Sequence, residues 1–192
     1  MSKTALIVID VQQSFRYSPY WSETDLPRYL ARQQALIDGC TAQGVPVVQI
    51  FHVEAQGAFS LASGHVRTLD TLSIVPDVIF HKHHHSALAG TDLAAWLIDR
   101  GIGRLIVSGI RTEQCCETTT RHASDSGFRV DYVSEATLTF PMTHARSGRL
   151  YTPQEIRERT ELVLEGRFAR IATVEEALAA VRDTVAGGAS AT

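Results

Sequence analysis

Residues 105–116 read Leu-Ile-Val-Ser-Gly-Ile-Arg-Thr-Glu-Gln-Cys-Cys, and they decide the fold class. The run opens as a buried strand and continues into polar residues that suit the start of a helix. Comparable apolar runs alternate with longer helix-like stretches along the chain, at residues 5–9, 47–51, 78–81, 130–133 and 168–172. Because these runs are nearly continuous in apolar residues, both faces of each strand should be covered. We therefore predict an α/β fold, a three-layer αβα sandwich on a mostly parallel, six-stranded, Rossmann-like sheet.

Composition bounds the domain organisation and the partners. The 192 residues suit a single domain, expected over residues 1–186, and residues 187–192 lack large apolar groups and are expected to be a disordered tail. Eighteen basic and 21 acidic residues give a net charge of −3 with no basic block, which argues against a nucleic-acid partner. No stretch approaches the ~20 apolar residues of a membrane helix, so no membrane partner is expected either.

The cysteines indicate the compartment. There are three of them, Cys40, Cys115 and Cys116, and two are adjacent. An odd count with an adjacent pair does not suit the disulfide framework of a secreted protein. We predict a cytoplasmic protein.

Helix signals are clearest near the C-terminus. Thr152 and Glu155 form a predicted capping box around Pro153, and Gly166 can end that helix in the left-handed conformation. Residues 173–176 repeat the capping box. Residues 52–76 interrupt the alternation, and we expect them to form either a lid or an oligomer contact.

Chemistry-bearing residues follow three of the predicted strands. Asp10 follows the first strand, Lys82 the third, and a run containing Cys115 the fourth. Parallel strands end at one edge of a sheet, so these groups should meet there. With Thr112 as an N-cap, Cys115 would occupy the third helical position, where the helix dipole and the Lys82 charge favour a thiolate.

Each of these residues also has an ordinary structural interpretation. An Asp that ends a strand often serves a turn, a lone Lys is usually solvated, and most free cysteines are buried and inert. The adjacent Cys116 is more simply a packing residue. The four histidines His81, His83, His84 and His85 alternate faces on an extended backbone and are interpreted as ordinary hydrogen-bonded or exposed side chains. Only the combination of acid, lysine and thiol indicates catalysis.

Three ordered motifs resemble those of the isochorismatase-like cysteine hydrolases, which include nicotinamidases and carbamoyl-amide hydrolases. Residues 9–15 (Ile-Asp-Val-Gln-Gln-Ser-Phe) resemble the first motif of the family. Residues 82–93 resemble the second, with the lysine and the Ser-Ala-x-x-Gly-Thr-x-Leu spacing intact. Residues 109–119 resemble the third, a Gly-x-x-Thr-x-x-Cys-Val pattern in which Cys116 stands where valine is common. The resemblance extends from residue 5 to about residue 136.

The resemblance implies a catalytic triad of Asp10, Lys82 and Cys115. It also implies a non-proline cis peptide at Ile110–Arg111 and an oxyanion hole formed by the backbone N–H groups of Arg111 and Cys115. The residues expected to bind substrate are Phe15, Trp21, His52, Phe59, Ile110 and Arg111. Nicotinamidases carry a metal on an Asp-x-His pair after the second strand, where this chain has Phe51-His52-Val53-Glu54. We therefore expect no metal and no other cofactor.

The function predicted from these residues is cysteine-dependent hydrolysis of a C–N bond in a small amide, carbamoyl or imide substrate, through a thioester. Two alternatives stay open. One is vinyl-ether hydrolysis of an isochorismate-like substrate, which in the family generally does not need the thiol. The other is a non-catalytic thiol redox or small-molecule-binding module. A homo-oligomer, either a dimer or a tetramer, is also expected.

Overall fold

The computed structural model describes residues 3–189, whose regular elements we number in chain order. The strands are β1 (Lys3–Ile9), β2 (Val47–His52), β3 (Val78–Lys82), β4 (Ile102–Ile110), β5 (Arg129–Leu138), β6 (Met142–Thr143), β7 (Leu150–Tyr151) and β8 (Arg170–Ile171). The helices are α1 (Leu26–Ala42), α2 (Leu93–Asp99), α3 (Glu117–Asp125), α4 (Pro153–Leu164) and α5 (Val174–Ala189). The central sheet has six strands in the order β3-β2-β1-β4-β5-β8, all parallel to their neighbours. This confirms the predicted α/β sandwich.

Two separate cores cover the two faces of the sheet. Successive side chains of a strand point to opposite faces. Accordingly, Leu6 and Val8 pack in the core formed with α1 and α5, while Ile7 and Ile9 pack in the core formed with α2, α3 and α4. All four side chains are fully buried, which explains why β1 is continuous in apolar residues.

The strand predictions differ from the structure at their ends. Strands β4 and β5 extend beyond the predicted runs because parallel pairing continues through polar residues such as Arg104 and Thr137. The last strand is shorter than predicted and pairs only at Arg170 and Ile171. The two-stranded antiparallel hairpin β6–β7 was not predicted, since its strands have only two residues each and its side chains are largely exposed.

The predicted helix ends near the C-terminus are confirmed. Thr152 and Glu155 form the capping box of α4, and Gly166 has a φ of 68° just after that helix. Thr173 and Glu176 exchange the hydrogen bonds of a second capping box. Helix α5 includes residues 187–189 of the predicted tail, and residues 190–192 lie outside the described residues.

Residues 52–76 form an irregular excursion that packs beside the end of β1. They contain two short 3₁₀ turns, Gly57–Phe59 and Leu61–Ser63. The backbone N–H groups of Gln13 and Ser14 donate to the carbonyl oxygens of Arg67 and His65. The excursion is thus tied to the edge of the sheet where the candidate residues lie. Within residues 3–189, no helix combines the length and apolarity needed to span a membrane.

Candidate active site

The candidate site lies where β1 and β4 end side by side. The chain connections run in opposite directions from these two strands, and such a switch point opens a crevice at the carboxyl edge of a parallel sheet. The strands approach closely, because a Cβ on Gly109 would lie 2.0 Å from the Ile9 carbonyl oxygen. Only glycine fits there. Asp10, the next residue after β1, has a φ of 53°, a left-handed conformation that aspartate tolerates better than most residues.

Lys82 reaches this crevice from the end of β3. Its Nζ atom lies 2.7 Å from Asp10 Oδ2, and both side chains have 0% exposure. The same ammonium group donates to the carbonyl oxygen of His84 at 3.1 Å and lies 3.3 Å from His52 Nδ1. An ion pair removed from water needs such additional hydrogen bonds, because burial of charge is strongly unfavourable.

Cys115 completes the group from the segment after β4. Its Sγ accepts from Lys82 Nζ at 3.4 Å and lies 3.7 Å from His85 Nδ1. The predicted helix start was wrong, because Thr112–Cys116 forms a π-helical turn ahead of α3 and Arg111 occupies the cap position. The Thr112 hydroxyl bonds Thr137 Oγ1 instead of capping a helix. Because π turns are rare, sequence reasoning defaulted to a regular helix.

The resting site holds a thiol instead of the thiolate that the helix-end argument favoured. Burial, reinforced by the negative charge of Asp10 and opposed by Lys82, raises the pKa of the Cys115 thiol to about 12. Burial also raises the pKa of the Asp10 carboxyl, although the Lys82 charge acts in the opposite direction. Burial alone would lower the pKa of Lys82, but the charges of Asp10 and Cys115 outweigh it and raise the value. Lys82 is therefore a permanent cation beside a protonated thiol.

The raised pKa values of the cysteine thiols predict that the protein loses stability at alkaline pH. Burial raises the pKa values of Cys40 and Cys115 to about 12 and that of Cys116 well above its ordinary value of 9.0. The unfolded chain releases these protons first, so stability is fully present below pH 9 and is lost as the pH rises. The loss at pH 10 is about 1.4 kcal/mol per thiol. Urea unfolding at pH 8 and pH 10 measures it, and Cys40→Ala should remove about a third of the difference. An unfolding free energy that does not fall over this interval would contradict the assignment.

The predicted substrate-binding residues separate into two groups. In the first, the Phe59 ring makes T-shaped contacts with the rings of Phe15 and His52. Its centroid lies 5.1 Å from that of Phe15 and 5.9 Å from that of His52. In the second, Trp21 packs on Phe140, 5.4 Å away. His52, Phe59 and Trp21 are partly exposed, whereas Phe15 and Ile110 are buried in a core. The first group lies next to Lys82, because His52 Nδ1 is 3.3 Å from Lys82 Nζ.

Arg111 belongs to the second group and uses its side chain internally. Its guanidinium pairs with Glu113 Oε1 at 2.8 Å, with both side chains 9% exposed, and lies over the Tyr20 ring at 4.8 Å. A substrate carboxylate at Arg111 would compete with Glu113 for the guanidinium. The peptide bond between Ile110 and Arg111 is cis, as the resemblance to the family implied.

Sequence reasoning missed two residues of the site. His85 faces the thiol, although it was interpreted as an ordinary histidine. Gln12 uses its amide to bind the backbone of His52, accepting from its N–H at 2.8 Å and donating to its carbonyl oxygen at 3.1 Å. Its place in the first motif was the available signal. A cavity of about 690 Å³ between the β6–β7 hairpin and α4 is lined by none of the three predicted triad residues. Within the described part of the chain, no group of three His, Cys, Asp or Glu residues could hold a metal ion.

Comparisons with known proteins agree with this architecture. A family model described as the isochorismatase domain matches residues 4–150. Nicotinamidase 3 of Arabidopsis thaliana is 43% identical over 65 residues, which cover 34% of this chain and 33% of that protein. A streptothricin hydrolase of Streptomyces noursei is 29% identical over 144 residues, covering 73% of this chain and 56% of that protein. The crystal structure of an isochorismatase-type protein from Burkholderia xenovorans has a TM-score of 0.84 and 32% identity, over 95% of this chain and 89% of that one.

Proposed function

Because the chain belongs to the isochorismatase family of hydrolases, we propose that it cleaves the C–N bond of a small amide, carbamoyl or imide substrate through a thioester on Cys115. One observation carries the proposal. The buried Lys82 ammonium lies 2.7 Å from the Asp10 carboxylate and 3.4 Å from the Cys115 sulfur. A nucleophile, a base and a fixed positive charge are the parts that acyl transfer to a thiol requires.

The first half-reaction starts from the protonated thiol. Asp10 accepts the thiol proton, a task for which burial suits it by raising its pKa and hence its basicity. Sγ attacks the carbonyl carbon, and Lys82 stabilises the sulfur charge before the bond forms. The backbone N–H groups of Arg111 and Cys115 are proposed to hold the oxyanion, each contributing about 3 kcal/mol as in comparable sites. The C–N bond then breaks, and Asp10 returns its proton to the departing nitrogen.

The second half-reaction regenerates the thiol. Asp10 takes a proton from a water molecule, whose oxygen attacks the thioester carbon. The carbon–sulfur bond breaks, the acid leaves, and the proton returns to Sγ. Over both half-reactions, one water molecule is consumed for each C–N bond that is cleaved. Phe59 and Trp21, which are partly exposed, are the proposed contacts for the substrate body.

The relatives support hydrolysis of an amide. One is named as a nicotinamidase and another as a streptothricin hydrolase, and the thiol beside Asp10 and Lys82 fits such chemistry better than it fits vinyl-ether hydrolysis. The redox alternative needs a second accessible thiol, whereas the neighbouring Cys116 is fully buried in the core. The substrate and the oligomeric state stay predictions.

We expect the purified protein to release ammonia from at least one member of a panel of small primary amides, ureido acids and nicotinamide. Chelator should leave the rate unchanged, because the proposed steps use only Asp10, Lys82, Cys115 and backbone N–H groups. Coupled ammonia detection measures the release. Hydrolysis of an isochorismate-like vinyl ether with no release from any amide would overturn the C–N assignment in favour of ether cleavage.

A further inference from the structure

Another cavity lies at the amino edge of the sheet, where β4, β5 and β8 begin. It has a volume of about 580 Å³, and residues at the end of α3 and in the loop after α4 complete its walls. The candidate active site lies at the carboxyl edge of the same sheet, and none of its residues lines this cavity. The cavity is therefore separate from the site described above.

Positive charge predominates on the walls of this cavity. The charged residues that line it are four arginines and two acids, namely Arg104, Arg129, Arg167, Arg170, Asp131 and Glu165. Positive charges thus exceed negative ones by two, although the whole chain has a net charge of −3. A concave surface with walls of low dielectric constant concentrates the field of such charges. These features suit the cavity to an anion.

The buried side chain of Asp131 holds two of these arginines in place. It is 3% exposed, and its two oxygens accept from Arg104 Nη2 and from Arg170 Nε, the latter at 2.8 Å. Among the described residues, Arg170 forms a side-chain hydrogen bond through Nε alone, and its side chain is 45% exposed. Both Nη groups of Arg170 are therefore available to a ligand. Because Asp131 already orients this guanidinium group, less side-chain entropy is lost on binding.

Arg167 supplies a second available guanidinium group. It is exposed, and its side chain has no partner in the part of the chain that the structure describes. The nearby carboxylates Glu165 and Glu176 reduce the positive field at Arg170. Each of them already accepts a backbone N–H at 2.9 Å, from Ile171 and Thr173 respectively. Within residues 3–189, neither carboxylate forms an ion pair with Arg167 or Arg170, so both guanidinium groups can still bind an added anion.

We propose that this cavity binds a small molecule that carries a phosphate group. A phosphate monoester has a charge of about −2 above pH 7 and three acceptor oxygens, which matches an excess of two positive charges, whereas a carboxylate neutralises only one. The planar N–H groups of arginine match phosphate oxygens in geometry. The remaining volume admits an organic group beside Phe128 and Phe168. The proposal does not depend on the role of Cys115.

Phenyl phosphate and benzoate are matched probes, because both carry one aromatic ring and they differ in the anionic group. The measured quantity is the dissociation constant from isothermal titration calorimetry of the full-length protein at pH 8 and low salt. We expect phenyl phosphate to bind at least about tenfold more tightly than benzoate, since it forms more charge-assisted hydrogen bonds. Its affinity should fall when the salt concentration is raised to about 0.3 M, because salt screens exposed charges.

Three variants locate the binding site. Arg167→Gln and Arg170→Gln each remove one proposed contact, and we expect each to weaken the binding of phenyl phosphate about tenfold. Arg146→Gln is the control, because it removes the same charge from an exposed arginine between β6 and β7 and should bind like wild type. The side chain of Arg167 has no partner among the described residues, so its replacement should leave the melting temperature unchanged.

Several results would overturn the proposal. One is the absence of saturable binding at about 10 mM phenyl phosphate. Equal affinity for benzoate would show that the protein does not select phosphate. Wild-type affinity in both Arg167→Gln and Arg170→Gln would place the ligand elsewhere, and an equal loss in all three variants would assign the binding to overall charge. None of these measurements requires turnover of an amide, so the outcome is independent of the proposed function.

Discussion

Cys115→Ala abolishes turnover, with an expected loss of about 10⁴-fold or more in kcat. In the proposed mechanism Sγ forms the only covalent bond to the substrate, so no other group can replace it. The fold should survive, because alanine fits wherever cysteine does and the three cysteines are free thiols. Steady-state ammonia release measures the loss, and a melting temperature within a few degrees of wild type shows that the protein is folded.

Cys116→Val is the matched control, one residue along the chain. Cys116 is fully buried in the core on the α2, α3 and α4 face. Valine is apolar and larger than cysteine by about one methylene, and such an insertion typically destabilises by about 1–3 kcal/mol without removing any group of the site. Activity should therefore persist. The reverse pattern, with activity kept in Cys115→Ala and lost in Cys116→Val, would assign the nucleophile to the other thiol.

Lys82→Met should destabilise the protein by about 3–5 kcal/mol at pH 7 and eliminate activity. The substitution keeps the length of the side chain but leaves the Asp10 carboxylate without its cation at a site with 0% exposure. Without the opposing Lys82 charge, the pKa of Asp10 rises further. When the pKa of Asp10 is higher in the folded protein than in the unfolded chain, the protein loses stability as the pH rises. The destabilisation by Lys82→Met should therefore be smaller at pH 5 than at pH 7.

The double variant Asp10→Asn/Lys82→Met separates charge from packing. Asparagine tolerates the left-handed conformation of residue 10 as aspartate does, and it removes the unpaired charge. The double variant should recover about 2 kcal/mol or more of the lost stability and stay inactive. Urea unfolding of the single and double variants provides the comparison. A Lys82→Met protein as stable as wild type would show that the pair is solvated.

The layered fold was predictable because the sheet is covered on both faces. Every residue of β1 from Ala5 to Ile9 is buried, and this leaves an apolar run that no amphipathic helix would show. The capping boxes at Thr152 and Thr173 were predictable because they depend on neighbours in the sequence. The β6–β7 hairpin was not, since its two-residue strands have no periodicity to detect.

The grouping of the candidate residues was easier to predict than their protonation states. Asp10, Lys82 and Cys115 lie at or after the carboxyl ends of three parallel strands, so sequence order placed them at one edge. The protonated state of Cys115 depends on how deeply it is buried, which sequence does not specify. The contacts of His52 with Lys82 and of His85 with Sγ depend on the register of β2 with β3 and on the turn after β3.

The most direct test of the mechanism is to capture the thioester. Wild type and Cys115→Ala are each mixed with a turned-over amide, quenched in acid during the steady state, digested and measured by mass spectrometry. We predict that the wild-type peptide containing Cys115 gains the mass of the acyl group and loses it on treatment with hydroxylamine. The alanine variant should show neither change. Amide hydrolysis by Cys115→Ala at the wild-type rate, with no acyl group on any peptide, would contradict covalent catalysis by this thiol.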